Sequence, residues 1–113
     1  MVEVRFLQTA SGRLIGFLVT GHANARHARS DRPHGKDIVC AAVSALSITA
    51  ANALKKVAGI DVYQNVDDGF LDIQLPKRLS GKQKYDADII LRTARLGLRQ
   101  IADQYPRHVT MNE

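Results

Sequence analysis

The residues of this chain with the clearest chemical potential are one histidine and its only cysteine. Cys40 follows Asp37 at the predicted beginning of a helix, and His22 lies upstream, where a predicted strand ends. A thiol at a helix N-terminus faces unpaired backbone N–H groups and the positive end of the macrodipole, and both favour the thiolate. An imidazole nearby can accept the thiol proton. These residue types are those of a thiol protease or an acyl-transfer enzyme.

Neighbouring residues have candidate roles around this pair. Asp37 is predicted to cap the helix with its carboxylate, and it is also a candidate to orient the imidazole. Backbone N–H groups near Cys40 are candidates for an oxyanion hole. Ser44, one turn beyond Cys40, is a candidate substrate contact or a packing residue. The alternatives are a buried, inert thiol at Cys40 and a structural, hydrogen-bonded histidine at His22.

Other histidines leave two further interpretations open. His27 and His34 lie in the same predicted loop as His22 and compete with it for the role of base. Together with Cys40 the three histidines could also form a metal site, but their spacing resembles no common zinc pattern and ordering such a loop is entropically costly. We therefore predict no metal and no cofactor. A redox-sensing thiol is the third interpretation, and the chain offers it no second cysteine.

Composition predicts one soluble domain over residues 1–113. A chain of this length buries about two-thirds of its unfolded surface, so it needs no disulfide or metal. A single cysteine favours a reducing cytoplasm over secretion. The first residues alternate with charge, unlike a signal peptide. We expect no segment to approach the roughly 20 apolar residues of a membrane helix, and hence no membrane partner.

The net charge of +5 makes polyanions plausible partners. Aromatic residues are 5% of the chain and tryptophan is absent, so a stacking platform for single-stranded nucleic acid is poorly supplied. The basic residues are either a solvated face or a nucleic-acid surface. They concentrate in the loop, at Arg26, Arg29, Arg32 and Lys36, and in the last third, at Arg92, Arg95, Arg99 and Arg107.

Hydrophobic periodicity predicts five strands and two helices. Alternating residues at 2–6 and 14–20 indicate a hairpin, with Ile15, Phe17 and Val19 on one face. Residues 21–36 read as a long loop. Strands at 62–66 and 70–75 surround an Asp-Gly turn, which is a strong hairpin signal. Helices are predicted from Asp37 to about residue 58 and from about 82 to 104, followed by a short strand near 108–111. The second helix has an apolar stripe that is predicted to face the core: Ala87, Leu91, Ala94, Leu98, Ile101 and Tyr105.

The element order ββαββα(β) predicts an α+β fold. It is a two-layer sandwich with a mostly antiparallel sheet and the two main helices on one face. The first helix is apolar nearly all round and rich in small residues such as Ala41, Ala42 and Ala45. Small residues permit close approach of a neighbour, so this helix is predicted to be central and favours a homodimer.

Two segments carry a resemblance to a known family. Gly21-His22-Ala23 and the run from Asp37 to Leu46, DIVCAAVSAL, resemble the Prp family of bacterial ribosomal-processing cysteine proteases over nearly the whole chain. The resemblance implies a similar fold, a homodimer, and removal of the N-terminal extension of a large-subunit ribosomal protein after a paired-aromatic motif. Carried over by motif, His22 and Cys40 form the catalytic dyad.

The connection between His22 and Cys40 departs from the family pattern, since it is several residues longer and rich in Arg and His. A connection at this place would grip or gate a peptide, so we take Gly21, Gly35 and Ser44, with Arg26, Arg29 and Arg32, as candidate substrate contacts. The three arginines could also contact ribosomal RNA weakly. The alternative function is a non-catalytic module that binds the ribosome or RNA.

Overall fold

Five strands and two helices form the part of the chain that the computed structural model describes, residues 1–21 and 34–112, with the backbone alone for 34–37. In chain order they are β1 (Val2–Gln8), β2 (Leu14–Thr20), α1 (His34–Lys56), β3 (Tyr63–Asp67), β4 (Phe70–Gln74), α2 (Gly81–Gln104) and β5 (Val109–Asn112). The predicted element order, with its final short strand, is confirmed.

The strands form one sheet in the order β3-β4-β2-β1-β5. The pairs β1–β2, β2–β4 and β3–β4 are antiparallel, and β5 lies parallel to β1. Both predicted hairpins are present. The parallel pair needs a long crossover, and α2 supplies it between β4 and β5. This mixed, mostly antiparallel sheet with two helices confirms the predicted α+β class.

The first hairpin contains a bulge that changes the face on which one residue lies. Leu7 pairs with Gly16, whereas Gln8 pairs with Leu14, so Ile15 has no direct partner on β1. A bulge inserts one residue and redirects the side chains around it. Leu14 is therefore buried together with Phe17 and Val19, while Ile15 is only half-buried. The prediction that Ile15 shares one face with Phe17 and Val19 was wrong for this reason.

The helix α1 begins at His34, one turn earlier than predicted. Asp37 consequently lies inside the first helical turn and is not the N-cap, and the predicted loop loses its last residues, including Gly35 and Lys36, to the helix. At the other end the helix finishes at Lys56. Gly59 follows with φ +66°, a left-handed conformation that suits glycine after a helix end.

The core lies between the sheet and the two helices. Val39, Val43 and Leu54 of α1 are buried in one cluster with strand residues such as Val4 and Phe17. The predicted apolar stripe of α2 is confirmed: its buried residues are Ala87, Leu91, Ala94 and Leu98. A capping box begins this helix, since the Ser80 side chain accepts from the Gln83 backbone N–H and the Gln83 side chain accepts from the Ser80 backbone N–H.

Within the described residues, α1 is the one helix long and apolar enough to cross a membrane, over the 19 residues Ile38–Lys56. The expectation that no segment approaches this length was therefore wrong. The core helix of a sandwich meets the same criterion of length and composition, and α1 contributes Val39, Val43 and Leu54 to the core. The match is thus weak grounds for a membrane span.

Candidate active site

The sheet topology brings the candidate residues to one end of the sheet, the end at which β2 finishes. β1 begins there, the β3–β4 turn lies there, and α2 ends there before β5. The helix α1 leads into the start of β3 at the opposite end. Because α1 spans about 35 Å at 1.5 Å per residue, its N-terminal turns run back toward the end of β2.

Gly21 holds the end of β2 in a conformation that other residues adopt with difficulty. Its φ is +83°, and its N–H donates to the carbonyl oxygen of Gly69 at 2.8 Å. A Cβ at this position would overlap the carbonyl oxygen of Met1 and lie 3.3 Å from the Met1 carbonyl carbon. Glycine is therefore required here by both backbone angle and close approach, and the chain leaves the sheet toward His22 from this fixed point.

Cys40 lies in the second turn of α1 and is only 4% exposed. It belongs to the core cluster with its neighbours Val39 and Val43, while Ile38 before it and Ala41 after it are exposed. The N–H groups without intrahelical partners belong to the first turn, residues 34–37. The expectation that Cys40 itself occupies the helix beginning was wrong by one turn, because the helix starts before Asp37.

The other predicted site residues divide between described and undescribed parts of the chain. Gly35 and Asp37 are in the first turn of α1, where the backbone alone is described. His22 and His27, with Arg26, Arg29 and Arg32, lie outside the described residues. The predicted pairing of His22 with Cys40 therefore stays a prediction.

Ser44 is half-buried one turn after Cys40, as the spacing predicted. Its carbonyl oxygen accepts from the Ser47 hydroxyl at 3.4 Å, and the same hydroxyl donates to the Val43 carbonyl oxygen at 2.7 Å. Ser47 is fully buried. Bonding back to the helix carbonyls satisfies its hydroxyl in the apolar core beneath the site.

Sequence reasoning missed one contributor to this end of the sheet. Gly69 was expected as part of an Asp-Gly hairpin turn, and its φ of +71° agrees with that turn. Its carbonyl oxygen also binds the Gly21 N–H. The Asp-Gly signal is local and predicts the turn but not its partner in another strand, so only the sheet order reveals that this turn fixes the chain before His22.

Among residues outside the undescribed segment, no group of His, Cys, Asp and Glu is arranged to hold a metal ion. The alternative metal site uses His22 and His27, which lie in that segment, so this alternative is not decided by the described residues. Cys40 is a free cysteine.

Comparison with known proteins agrees with the fold and the motif. A family model described as cysteine protease Prp matches residues 1–110. The ribosomal processing cysteine protease Prp of Bacillus subtilis (strain 168) is 26% identical over 107 residues, covering 93% of this chain and 90% of that protein.

Solved structures give the same result. A Streptococcus mutans crystal structure superposes with a TM-score of 0.81 at 30% identity, covering 99% of this chain and 92% of that one. The essential ribosomal processing protease Prp of S. aureus, with a covalently linked product peptide, superposes with a TM-score of 0.78 at 25% identity, covering 99% and 98%. Because the family model spans nearly the whole chain, this protein belongs to the cysteine protease Prp family and is a hydrolase of peptide bonds.

Proposed function

We propose that this protein is an endopeptidase that removes the N-terminal extension of a large-subunit ribosomal protein. The observation that carries the proposal is family membership over residues 1–110, together with a single cysteine placed in the DIVCAAVSAL motif on α1. The B. subtilis relative is named for ribosomal processing, and the S. aureus structure contains a covalently linked product peptide. Both names support a peptide substrate of this class.

Cys40 and His22 are the proposed catalytic residues. The imidazole of His22 accepts the thiol proton, and the Cys40 sulfur attacks the scissile carbonyl carbon to form a tetrahedral intermediate. When the C–N bond breaks, the imidazolium donates its proton to the leaving amine, which leaves a thioester on Cys40. A water molecule, deprotonated by the same imidazole, then hydrolyses the thioester and restores the thiol.

The first turn of α1 is the proposed source of oxyanion stabilisation. Its N–H groups, at residues 34–37, have no intrahelical partners and lie one turn before Cys40. Donors aimed at developing negative charge lower the barrier of acyl transfer. Asp37 is the proposed orienting group for the imidazole. This role replaces its predicted capping role, since Asp37 now lies within the turn.

The low exposure of Cys40 implies that substrate binding uncovers the thiol. A residue only 4% exposed cannot meet a peptide carbonyl unless neighbouring groups move aside. Gly21, Arg26, Arg29 and Arg32 are proposed to contact the substrate. Gly35 and Ser44 would contact it on the helix side.

Arg26, Arg29 and Arg32 are also proposed to hold the enzyme near its substrate, because their charge would attract the ribosomal RNA that surrounds the substrate. A ribosomal substrate implies a cytoplasmic enzyme. Replacing the three arginines with Ala should slow cleavage on assembled ribosomal particles more than cleavage of the isolated ribosomal protein. An equal cleavage rate on particles for this variant and the wild type would contradict the proposed attraction to ribosomal RNA.

A second copy of the chain is the proposed partner of the outer helical face. An apolar groove of about 420 Å³ runs between α1 and α2, and its lining includes Leu46, Thr49, Ile89 and Ile90. Ile89 is exposed on this face. A homodimer through the groove would cover it. Ile89→Lys should convert a dimer to a monomer in light scattering, whereas Val57→Lys, at an exposed apolar position beyond the helix end, should not.

The test of the proposed function is intact-mass analysis of an extension-bearing ribosomal protein. Incubation with the wild type should remove one discrete N-terminal peptide, while Cys40→Ala and His22→Ala should leave the mass unchanged. Cleavage by Cys40→Ala would contradict the assignment. Binding of the ribosomal protein without cleavage by reduced, folded wild type would favour the non-catalytic module.

A further inference from the structure

We propose that the α2 face carrying Arg92, Arg95 and Arg99 binds the phosphate backbone of folded RNA. None of these arginines is among the residues proposed for catalysis, and the cleft that they border shares Ile89 and Thr93 with the groove proposed for the dimer. That the bound polyanion is RNA rests on the proposed ribosomal substrate, whereas the surface itself is defined by the structure.

The three arginines lie at helical spacing along one side of α2. Positions separated by three, four and seven residues share a helix face, and seven residues span about 10 Å along the axis. No acidic residue occurs between Arg92 and Arg99. A duplex carries about one negative charge per 1.7 Å of its axis, so a stripe of this length can face several phosphates.

The arginine side of α2 points away from α1. Gly97 contacts α1 closely, since a Cβ there would lie 2.9 Å from a methyl carbon of Leu46. At 100° per residue, Arg92, Arg95 and Arg99 are about 140–160° around the helix from Gly97. A second copy seated in the groove between the helices therefore leaves these arginines at the rim, on the side that a further partner would approach.

The stripe borders a shallow cleft rather than a flat surface. Ile89, Thr93 and Leu96 line it together with the three arginines, and its volume is about 460 Å³. The Arg92 side chain is 61% exposed and lies 3.6 Å from the carboxylate of Asp88. Exposed ion pairs of this kind contribute little net free energy, so this contact does not prevent Arg92 from binding a phosphate.

Folded RNA fits this surface better than single strands do. Recognition of single strands relies on aromatic side chains that stack on bases, and none of the cleft residues is aromatic. Arginine guanidinium groups bind phosphate oxygens in a bidentate manner without reading bases. Binding should therefore depend on salt and RNA shape rather than on RNA sequence.

The test uses the full chain with Cys40→Ala, so that binding is measured without cleavage. Fluorescence anisotropy of a labelled duplex RNA would give the dissociation constant between about 50 and 200 mM salt, the range over which phosphate contacts weaken most visibly. The test variant carries Arg92→Gln, Arg95→Gln and Arg99→Gln. The matched control carries Lys55→Gln, Lys56→Gln and Lys77→Gln, which remove the same charge from exposed positions elsewhere.

The α2 variant should lose about two to three units of the slope of log affinity against log salt, at about 0.9 per phosphate contact. Its affinity at low salt should fall at least about tenfold, and the control should remain within about twofold of the parent. Equal losses in both variants, or parental binding by the α2 variant, would overturn the proposal. So would competition by polyglutamate as effective as competition by unlabelled RNA, which would indicate an acidic protein partner.

A parallel assay separates this proposal from the proteolytic one. With Cys40 restored, the α2 variant should cleave the isolated ribosomal protein at the wild-type rate, because the stripe lies outside the catalytic machinery. Loss of that cleavage in a folded α2 variant would overturn the assignment of the stripe to RNA alone. Cleavage by neither protein, together with intact RNA binding, would refute the proposed function and leave the RNA surface supported.

Discussion

Replacing Gly21 with Ala should damage both stability and cleavage, because this residue fixes the chain immediately before His22. Two separable penalties apply. The φ of +83° costs an L residue about 1–2 kcal/mol, and the new Cβ would overlap the Met1 carbonyl oxygen. Forcing extra volume into a packed position adds about 1–3 kcal/mol.

Gly12→Ala is the matched control for this substitution. Gly12 has φ +92°, but a Cβ added there would have nothing within 4 Å, so only the backbone penalty of about 1–2 kcal/mol applies. The free energy of unfolding should therefore fall at least about 1 kcal/mol further for Gly21→Ala than for Gly12→Ala. In a domain of this size, each kcal/mol corresponds to about 4 °C in Tm.

The assay combines urea unfolding with cleavage rates measured well below both Tm values. Gly12 lies in the β1–β2 turn, at the opposite end of the sheet from Gly21, so Gly12→Ala should keep kcat/KM within about twofold of the wild type. Gly21→Ala should lower it about 10–100-fold, since misplacing a reacting group by about 1 Å costs on this scale. Equal losses of stability and rate for the two variants would refute the argument from close approach.

Three further substitutions test the fold that positions the site. Gly16→Ala should destabilise the chain by about 1–3 kcal/mol or more in urea unfolding, because its Cβ would overlap the backbone of Ile73. The control, Gly81→Ala, has open space at a helix start and should be neutral or stabilising by up to about 1 kcal/mol. A Gly16→Ala variant as stable as the wild type would contradict the close strand contact. Ser80→Ala should cost about 1 kcal/mol through loss of the capping box, and an unchanged Tm would show that the cap does not contribute. Gly97→Leu should lower the Tm more than Gly97→Ala does, since only a flexible Leu46 methyl opposes the smaller side chain; the reverse order would contradict the described helix contact.

Much of the fold follows from local patterns. The alternation of β1, the Asp-Gly turn and the apolar stripe of α2 each depend on neighbours in sequence, and each predicted its element correctly. The beginning of α1 did not follow, because a carboxylate is favoured both at the N-cap and within the first turn. Asp37 is therefore compatible with a helix that it caps and with a helix that begins one turn earlier. We predicted the first, whereas the helix begins at His34.

Features that depend on distant residues escaped prediction. The bulge at Ile15 arises from the pairing of two strands, and the exposure of every residue of β3 arises from its place at the sheet edge. The burial of Cys40 likewise depends on distant residues, since it belongs to one core cluster with strand residues such as Val4 and Phe17. The motif could identify Cys40 as the candidate nucleophile, but not its burial.

The central claim, that Cys40 is the nucleophile activated by His22, is tested most directly by covalent trapping. A peptide chloromethyl ketone with the sequence preceding the cleavage site would be incubated with reduced, folded protein and examined by intact mass. We expect one adduct per chain, assigned to Cys40 by peptide mapping, and much slower labelling of His22→Ala. Absence of an adduct at Cys40 in a preparation that cleaves its substrate, or equally fast labelling of His22→Ala, would contradict the central claim.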